Sequence, residues 1–212
     1  MNNLLDQRKI GIVVAVLIVL GVGIYFTQEV SEKKEAEGKS ALYKIQKTYE
    51  DETKALSETD KAAGASYDVD AKLPKTVSEL NGVLNAKSLP DRELYEAALK
   101  LGNLYLEHGQ ADKAVASFQK ASAFAGSGFQ KASAFYILGI AQERATQFKA
   151  AIDAFQQGLT KNVDGLNGEI LLGMVRNYLK LNDKQNAKLY YEKLNKDLPG
   201  AKATETAQEL LK

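Results

Sequence analysis

Three times in its C-terminal half the chain repeats one order of small and large side chains, and this spacing limits the possible folds more than any other feature. Counted from Tyr95, the first unit carries Leu101 and Gly102 at places 7 and 8, Tyr105 at 11, Ala114 at 20, Phe118 at 24 and Ala121 at 27. Counted from Ala132, the second carries Phe135 at 4, Leu138 and Gly139 at 7 and 8, Ala151 at 20, Phe155 at 24 and Gly158 at 27. The third, counted from Gly168, is looser: Leu171 at 4, Met174 and Val175 at 7 and 8, Tyr178 at 11, Ala187 at 20, Tyr191 at 24, Leu194 at 27 and Pro199 at 32. Small residues at 8, 20 and 27 let two antiparallel helices approach, and large ones at 7, 11 and 24 fill the space between them. The units start 37 and 36 residues apart, with turn compositions between them, AGSG at 125–128 and NVDGLNG at 162–168.

This spacing resembles the tetratricopeptide repeat, a helix–turn–helix unit of about 34 residues. The extra residues over that period fall in the two Gly- and Asn-rich stretches, where a stacked array tolerates insertion. The resemblance implies an all-α superhelix that binds partners on a concave face and does no chemistry of its own. With 45% hydrophobic and 26% charged residues the chain is not a disordered one, and only three prolines interrupt its helix-forming composition. A net charge of +1 gives no field suited to nucleic acid or an anionic membrane surface. The absence of cysteine excludes disulfides, thiolate metal sites and a lipidated N-terminal cysteine.

Residues 10–26 (IGIVVAVLIVLGVGIYF) form an uncharged apolar run. Its seventeen residues span about 25 Å as a helix, the short end of a membrane span. Tyr25 and Phe26 occupy the place of an interfacial anchor, and Arg8 and Lys9 precede the run. The expected layout is a cytoplasmic tail at 1–9, a transmembrane helix at 10–27 and the remainder on the far side. A cleaved signal peptide is the rival reading, against which Gly21-Val22-Gly23 is a poor cleavage site. A buried helix fits poorly, because β-branched residues surround the run and no polar face interrupts them.

Residues 28–74 are expected to form a linker, helical from 28 to about 63 and a loop over 64–74. Leu42, Ile45, Tyr49 and Leu56 follow a helical stripe that Glu52 interrupts, which favours packing along the first repeat helices over a coiled-coil stalk. The repeat domain is expected over 75–212, with a helix from about Thr76 to Leu84 before the first unit. A capping helix at 201–211 brings Ala207, Leu210 and Leu211 to cover the last unit.

No constellation for catalysis emerges. The single histidine, His108, sits at a helix end beside Gly109, where the helix dipole favours it. Neither GSG at 126–128 nor GVG at 21–23 continues into a phosphate-binding motif. Residues 164–169 lack the ligand spacing of a calcium loop and read as a turn between units, and Asp68 and Asp70 stand in a loop with no partner in view. The expectation is a non-enzyme with no cofactor, no metal, no nucleic acid and no small-molecule substrate.

In the repeat family, places 2, 5, 6, 9, 12 and 13 face the groove. Of the side chains that pattern assigns here, the partner-binding candidates are Leu99, Asn103 and Leu106, then Tyr136, Ile140 and Arg144, then Leu172 and Arg176. Members that clamp a C-terminal carboxylate need basic residues where this chain has Leu99, Glu169 and Gly173, so only Asn103 matches. An apolar floor at Leu99, Tyr136, Ile140 and Leu172 suits a hydrophobic segment of a protein partner, and equally suits packing against the linker helix.

Anchor, helical linker and repeats together resemble the ancillary subunit of the bacterial SecYEG translocon, the YfgM-like family. The resemblance implies a single-pass protein of the bacterial inner membrane with its N-terminus cytoplasmic and its repeats periplasmic. It further implies partners in the translocon and in a membrane-tethered chaperone or prolyl isomerase. A cell-envelope scaffold for wall synthesis, division or outer-membrane assembly, or a regulatory subunit of an enzyme complex, has the same layout.

Overall fold

The computed structural model describes the backbone of residues 2–62, 65–86, 88–126, 128–159 and 164–212, and side chains from 24 onward within those ranges except at 164 and 165. Among the described residues every regular element is a helix: α1 Asn2–Lys54, α2 Glu58–Lys61, α3 Val69–Lys72, α4 Pro74–Asn85, α5 Asp91–Glu107, α6 Ala111–Phe124, α7 Phe129–Arg144, α8 Phe148–Gly158, α9 Asp164–Lys180, α10 Lys184–Asp197 and α11 Lys202–Leu210. From α5 onward each helix packs on the next, so α5/α6, α7/α8 and α9/α10 form three stacked pairs.

The repeated spacing has a direct reading in the packing. Ala114, Ala151 and Ala187 at place 20 are fully buried, as are Phe118 and Phe155 at place 24. A Cβ on Gly102 would collide with the Phe118 ring, and one on Gly139 would lie 2.6 Å from Phe155 Cε1. Phe155 is held from both sides, because a Cβ on Gly173 of the following unit would lie 2.7 Å from its ring. The aromatic ring therefore joins the second unit to the third, and α9 can approach only where it has no side chain.

The turn inside each pair is the same motif three times. Gln110 N–H donates to Tyr105 O (2.8 Å), Gln147 N–H to Gln142 O (2.8 Å) and Asp183 N–H to Tyr178 O (2.9 Å). One residue earlier, Gly109, Thr146 and Asn182 donate to Leu106, Glu143 and Leu179 carbonyls at 3.3, 3.1 and 3.0 Å. This is the Schellman pattern, with the left-handed residue at φ 79°, 59° and 58°. Glycine and asparagine adopt that region readily and a β-branched threonine does not. Thr146→Gly is expected to raise stability by about 0.5–1 kcal/mol, the relief of left-handed strain less the extra unfolded-state entropy of glycine. A melting curve checks it, and an unchanged or lower midpoint contradicts it.

Upstream, α4 lies between α1 and α5, and α1 also touches α5, as α8 lies between the touching helices α7 and α9. The end of α1 and α4 thus occupy the place of a preceding pair. Leu42 and Ile45 of α1 are buried in one cluster with Leu80, Val83 and Leu84 of α4 and Leu94 and Ala98 of α5. Glu52 explains its own interruption of the stripe. Its carboxylate accepts hydrogen bonds from Lys75 N–H (2.9 Å), Thr76 N–H (2.9 Å) and Thr76 Oγ1 (2.7 Å). These are donors of the first turn of α4, which have no partner within their own helix.

Several boundaries differ from expectation. The helix ends at Lys54 rather than near 63: Thr53 Oγ1 bonds back to Tyr49 O (2.8 Å) and Glu50 O (3.0 Å), and Ser57 caps a separate short helix by accepting from Asp60 N–H (3.2 Å). The loop expected over 64–74 contains the single turn α3, and Pro74 opens α4. Residues 164–169 belong to the start of α9 and are not a turn between units. In α11, Ala203, Thr204 and Ala207 are buried, whereas Leu210, expected to cover the last unit, falls at the rim and is exposed.

Residues 2–27 continue the same helix as the linker, so no break separates an anchor from a stalk. The expected span at 10–27 lies mostly among residues 1–23, whose side chains are outside the described set. Among the described residues no helix is long and apolar enough to cross a membrane. Ile24, Tyr25, Phe26 and Val30 at the start of the described side chains are exposed.

Candidate functional site

The first helices of the three units are tied together along one side. Arg144 of α7 donates from Nη1 to Leu106 O of α5 (3.3 Å). Arg176 of α9 forms a bidentate pair with Glu143 of α7, Nε to Oε1 and Nη2 to Oε2, both at 2.9 Å. A planar guanidinium matched to a carboxylate in this way fixes orientation as well as charge. In the repeat count Glu143 stands at place 12 and Arg176 at place 9. The same two places between the first and second units hold Leu106 and Ile140, so an apolar pair of residues gives way to a charged one along the stack.

The eight candidate residues separate into three groups. Leu99 and Leu106 are half-buried against the cluster that contains Leu42 and Ile45. Asn103 is exposed in a cleft of about 190 Å³ walled by Ile45, Gln46 and Tyr49 of α1 and by Lys100 and Glu107 of α5. Lys100 Nζ donates to Gln46 Oε1 across it (3.4 Å). The end of α1 therefore lies over the α5 part of the face. Tyr136 and Ile140 are half-buried, the Tyr136 ring centroid 6.2 Å from that of Phe155, and burial pushes the Tyr136 hydroxyl above its ordinary pKa. Arg144 is exposed.

Leu172 departs from expectation. It is 6% exposed and belongs to the core cluster with Phe155, Ile170 and Met174, so it offers no floor to a partner. Its neighbour Gly173 is drawn against the Phe155 ring, so α9 meets the second unit at this point and Leu172 joins the same cluster. Arg176, half-buried, is engaged with Glu143 rather than open.

A second constellation had no visible partners in the sequence. Residues 65–73 cross the turn between α5 and α6 as a strap. Ser66 Oγ donates to His108 O (3.2 Å), His108 Nδ1–H donates to Ala65 O (2.7 Å), and the Tyr67 and His108 rings stack with centroids 3.9 Å apart. Gln110 accepts from Val69 N–H at Oε1 (3.0 Å) and donates from Nε2 to Asp68 Oδ1 (3.1 Å). Tyr105 OH donates to Asp70 Oδ1 (2.8 Å), and Lys113 pairs with both Asp70 and Asp68. The Gln110 amide, with help from Lys113, holds the Asp68 carboxyl below its usual range, and Asp70 raises the Lys113 ammonium. Burial and the Asp70 carboxylate raise the Tyr105 hydroxyl. Asp68 and Asp70 thus have a structural role, and His108 serves ring stacking as well as a helix end. All these partners lie some forty residues away, beyond any local pattern.

Among the described residues no group of three or more His, Cys, Asp and Glu side chains could hold a metal ion. What the face offers is shape, apolar surface and exposed cations.

Comparison with known proteins fits this geometry. Residues 96–123 and 169–196 each match a tetratricopeptide repeat family. The chain carries tetratricopeptide repeats there, in α5/α6 and α9/α10, and α7/α8 between them repeats the same packing and turn. A crystal structure of MamA has a similar fold, with a TM-score of 0.50 and 24% identity over 73% of this chain and 84% of that one. No curated protein matches.

Proposed function

We propose that the protein is a membrane-anchored adaptor that holds another protein against its repeat face. The observation that carries this reading is the stack of three helix pairs whose first helices are clasped side by side by Arg144 and by the Arg176–Glu143 pair. Tetratricopeptide repeats and this fold favour protein–protein interaction over catalysis. The apolar run at 10–26 anchors the chain in a bacterial inner membrane. Arg8 and Lys9 keep the short tail at 1–9 cytoplasmic, and the repeats stand in the periplasm. Resemblance in layout to the translocon's ancillary subunit supports a site of action at SecYEG, beside a membrane-tethered chaperone or prolyl isomerase.

Two measurements test the reading. In-cell cross-linking of the full-length chain, with identification of the captured proteins, is expected to recover translocon subunits; capture only of wall-synthesis or outer-membrane machinery would favour a cell-envelope scaffold instead. A topology reporter fused after Lys212 is expected to show periplasmic activity, and cytoplasmic activity there would refute the anchor's orientation.

A further inference from the structure

We propose that the partner docks between α7 and α9 through an acidic segment in which an aliphatic side chain neighbours two carboxylates. This rests on the adaptor reading and names the partner's chemistry and its place on the face. The first third of the face is narrowed to a cleft of about 190 Å³, because the end of α1 lies beside α5 and Lys100 is bonded to Gln46. A wider niche of about 440 Å³ lies between the second and third units. Ile140 and Phe148, both half-buried, supply its apolar surface, and Arg144, Arg176 and Lys180 supply its cations.

The charges are unequal in availability. Arg176 is neutralised by Glu143 in a bidentate pair. Arg144 and Lys180 are exposed and make no ion pair among the described residues; Arg144 has only the Leu106 carbonyl at 3.3 Å. They share place 13 of successive units, so they stand at matching positions at the ends of α7 and α9. Two unpaired cations beside an apolar floor complement an aliphatic anchor flanked by carboxylates and repel a basic segment. The niche differs from a carboxylate clamp, because the positions that clamp would use hold Leu99, Glu169 and Gly173.

The test uses the full-length chain in neutral-lipid nanodiscs, with empty discs as blank. Three labelled peptides of Gly and Ser carry a central Leu-Glu-Glu, Leu-Lys-Lys or Gly-Glu-Glu, and binding is read by fluorescence anisotropy. The Leu-Glu-Glu peptide is expected to bind at least tenfold more tightly than either counterpart. That preference should fall at least tenfold in the Arg144→Glu and Lys180→Glu variants and persist in Lys100→Glu, with circular dichroism confirming that each is folded. Absence of binding, equal binding of acidic and basic peptides, or loss in Lys100→Glu with retention in the other two would overturn the proposal. If in-cell cross-links persist unchanged in Arg144→Glu/Lys180→Glu, the niche is wrong and the adaptor reading stands.

Discussion

Replacing Phe155 by alanine is expected to lower the unfolding free energy by about 3–5 kcal/mol, the cost of emptying a fully enclosed aromatic site. The ring is 0% exposed and sits between two helices that carry glycine where they meet it, Gly139 in its own unit and Gly173 in the next. Its loss therefore removes contacts within the second pair and across to the third. In an array where stability is a sum of units and interfaces, amide exchange should accelerate most in α8 and α9. A second substitution makes the test specific. Gly139→Ala alone sets a methyl 2.6 Å from Phe155 Cε1 and should cost about 1–3 kcal/mol. In a Phe155→Ala background the obstacle is gone, and the same change should become neutral or stabilise by up to about 1 kcal/mol through helix propensity. Urea denaturation of the four proteins gives the cycle. If Gly139→Ala destabilises equally in both backgrounds, the interlock of place 8 with place 24 is not what holds the second pair.

The elements that the sequence made legible are those whose information is local and repeated. Gly139 opposite Phe155 is a spacing of sixteen residues within one hairpin, and it recurs as Gly102 opposite Phe118. The same spacing set out three units in order, and α5/α6, α7/α8 and α9/α10 are the helix pairs that carry them. Contacts between distant segments were not legible. Glu52 looked like a flaw in an apolar stripe because its partners, Lys75 and Thr76, belong to a helix that folds back on α1. Asp70 looked isolated because Tyr105 and Lys113 reach it only after α5 and α6 have paired. The face was half-read. Family spacing pointed to Tyr136, Ile140 and Arg144, which are accessible in part. It could not show that the end of α1 walls the cleft at Asn103, that Glu143 engages Arg176, or that Leu172 lies in the core.

These differences change what the face can do. A superhelix with all three first helices open would offer one continuous apolar floor. Here the end of α1 borders the beginning, Leu172 is core, and the accessible part is shorter than the candidate residues implied. The strap at 65–73 adds to this by tying the α5–α6 turn to the segment that follows α1. The chain thus uses its own N-terminal part as the first layer of the stack, and a membrane anchor at the other end of α1 would hold the repeats through a continuous helix rather than a flexible tether.

That layer depends on Glu52. Glu52→Ala is expected to cost about 2–3 kcal/mol, because it removes a carboxylate that accepts from two backbone amides and one hydroxyl and leaves the first turn of α4 without its cap. Glu52→Gln keeps a neutral acceptor and should cost about half as much. Burial works against ionisation at Glu52, but the hydrogen bonds from Thr76 and Lys75 outweigh it and hold the carboxyl below its ordinary value of 4.5. A lowered folded pKa means that the unfolded chain takes up the proton first as pH falls. The stabilisation is therefore complete above about pH 4.5 and declines below it as the folded carboxyl is titrated. The difference in unfolding free energy between wild type and Glu52→Gln should accordingly be flat from pH 7 to 5 and shrink toward pH 3. Hydrogen exchange gives the location: amides at the start of α4 should open in both variants while those of α9 and α10 keep their protection. A uniform loss across all pairs, or a difference independent of pH, would mean that Glu52 does not cap α4 as a carboxylate and that the apolar contacts of Leu42 and Ile45 alone seat α1.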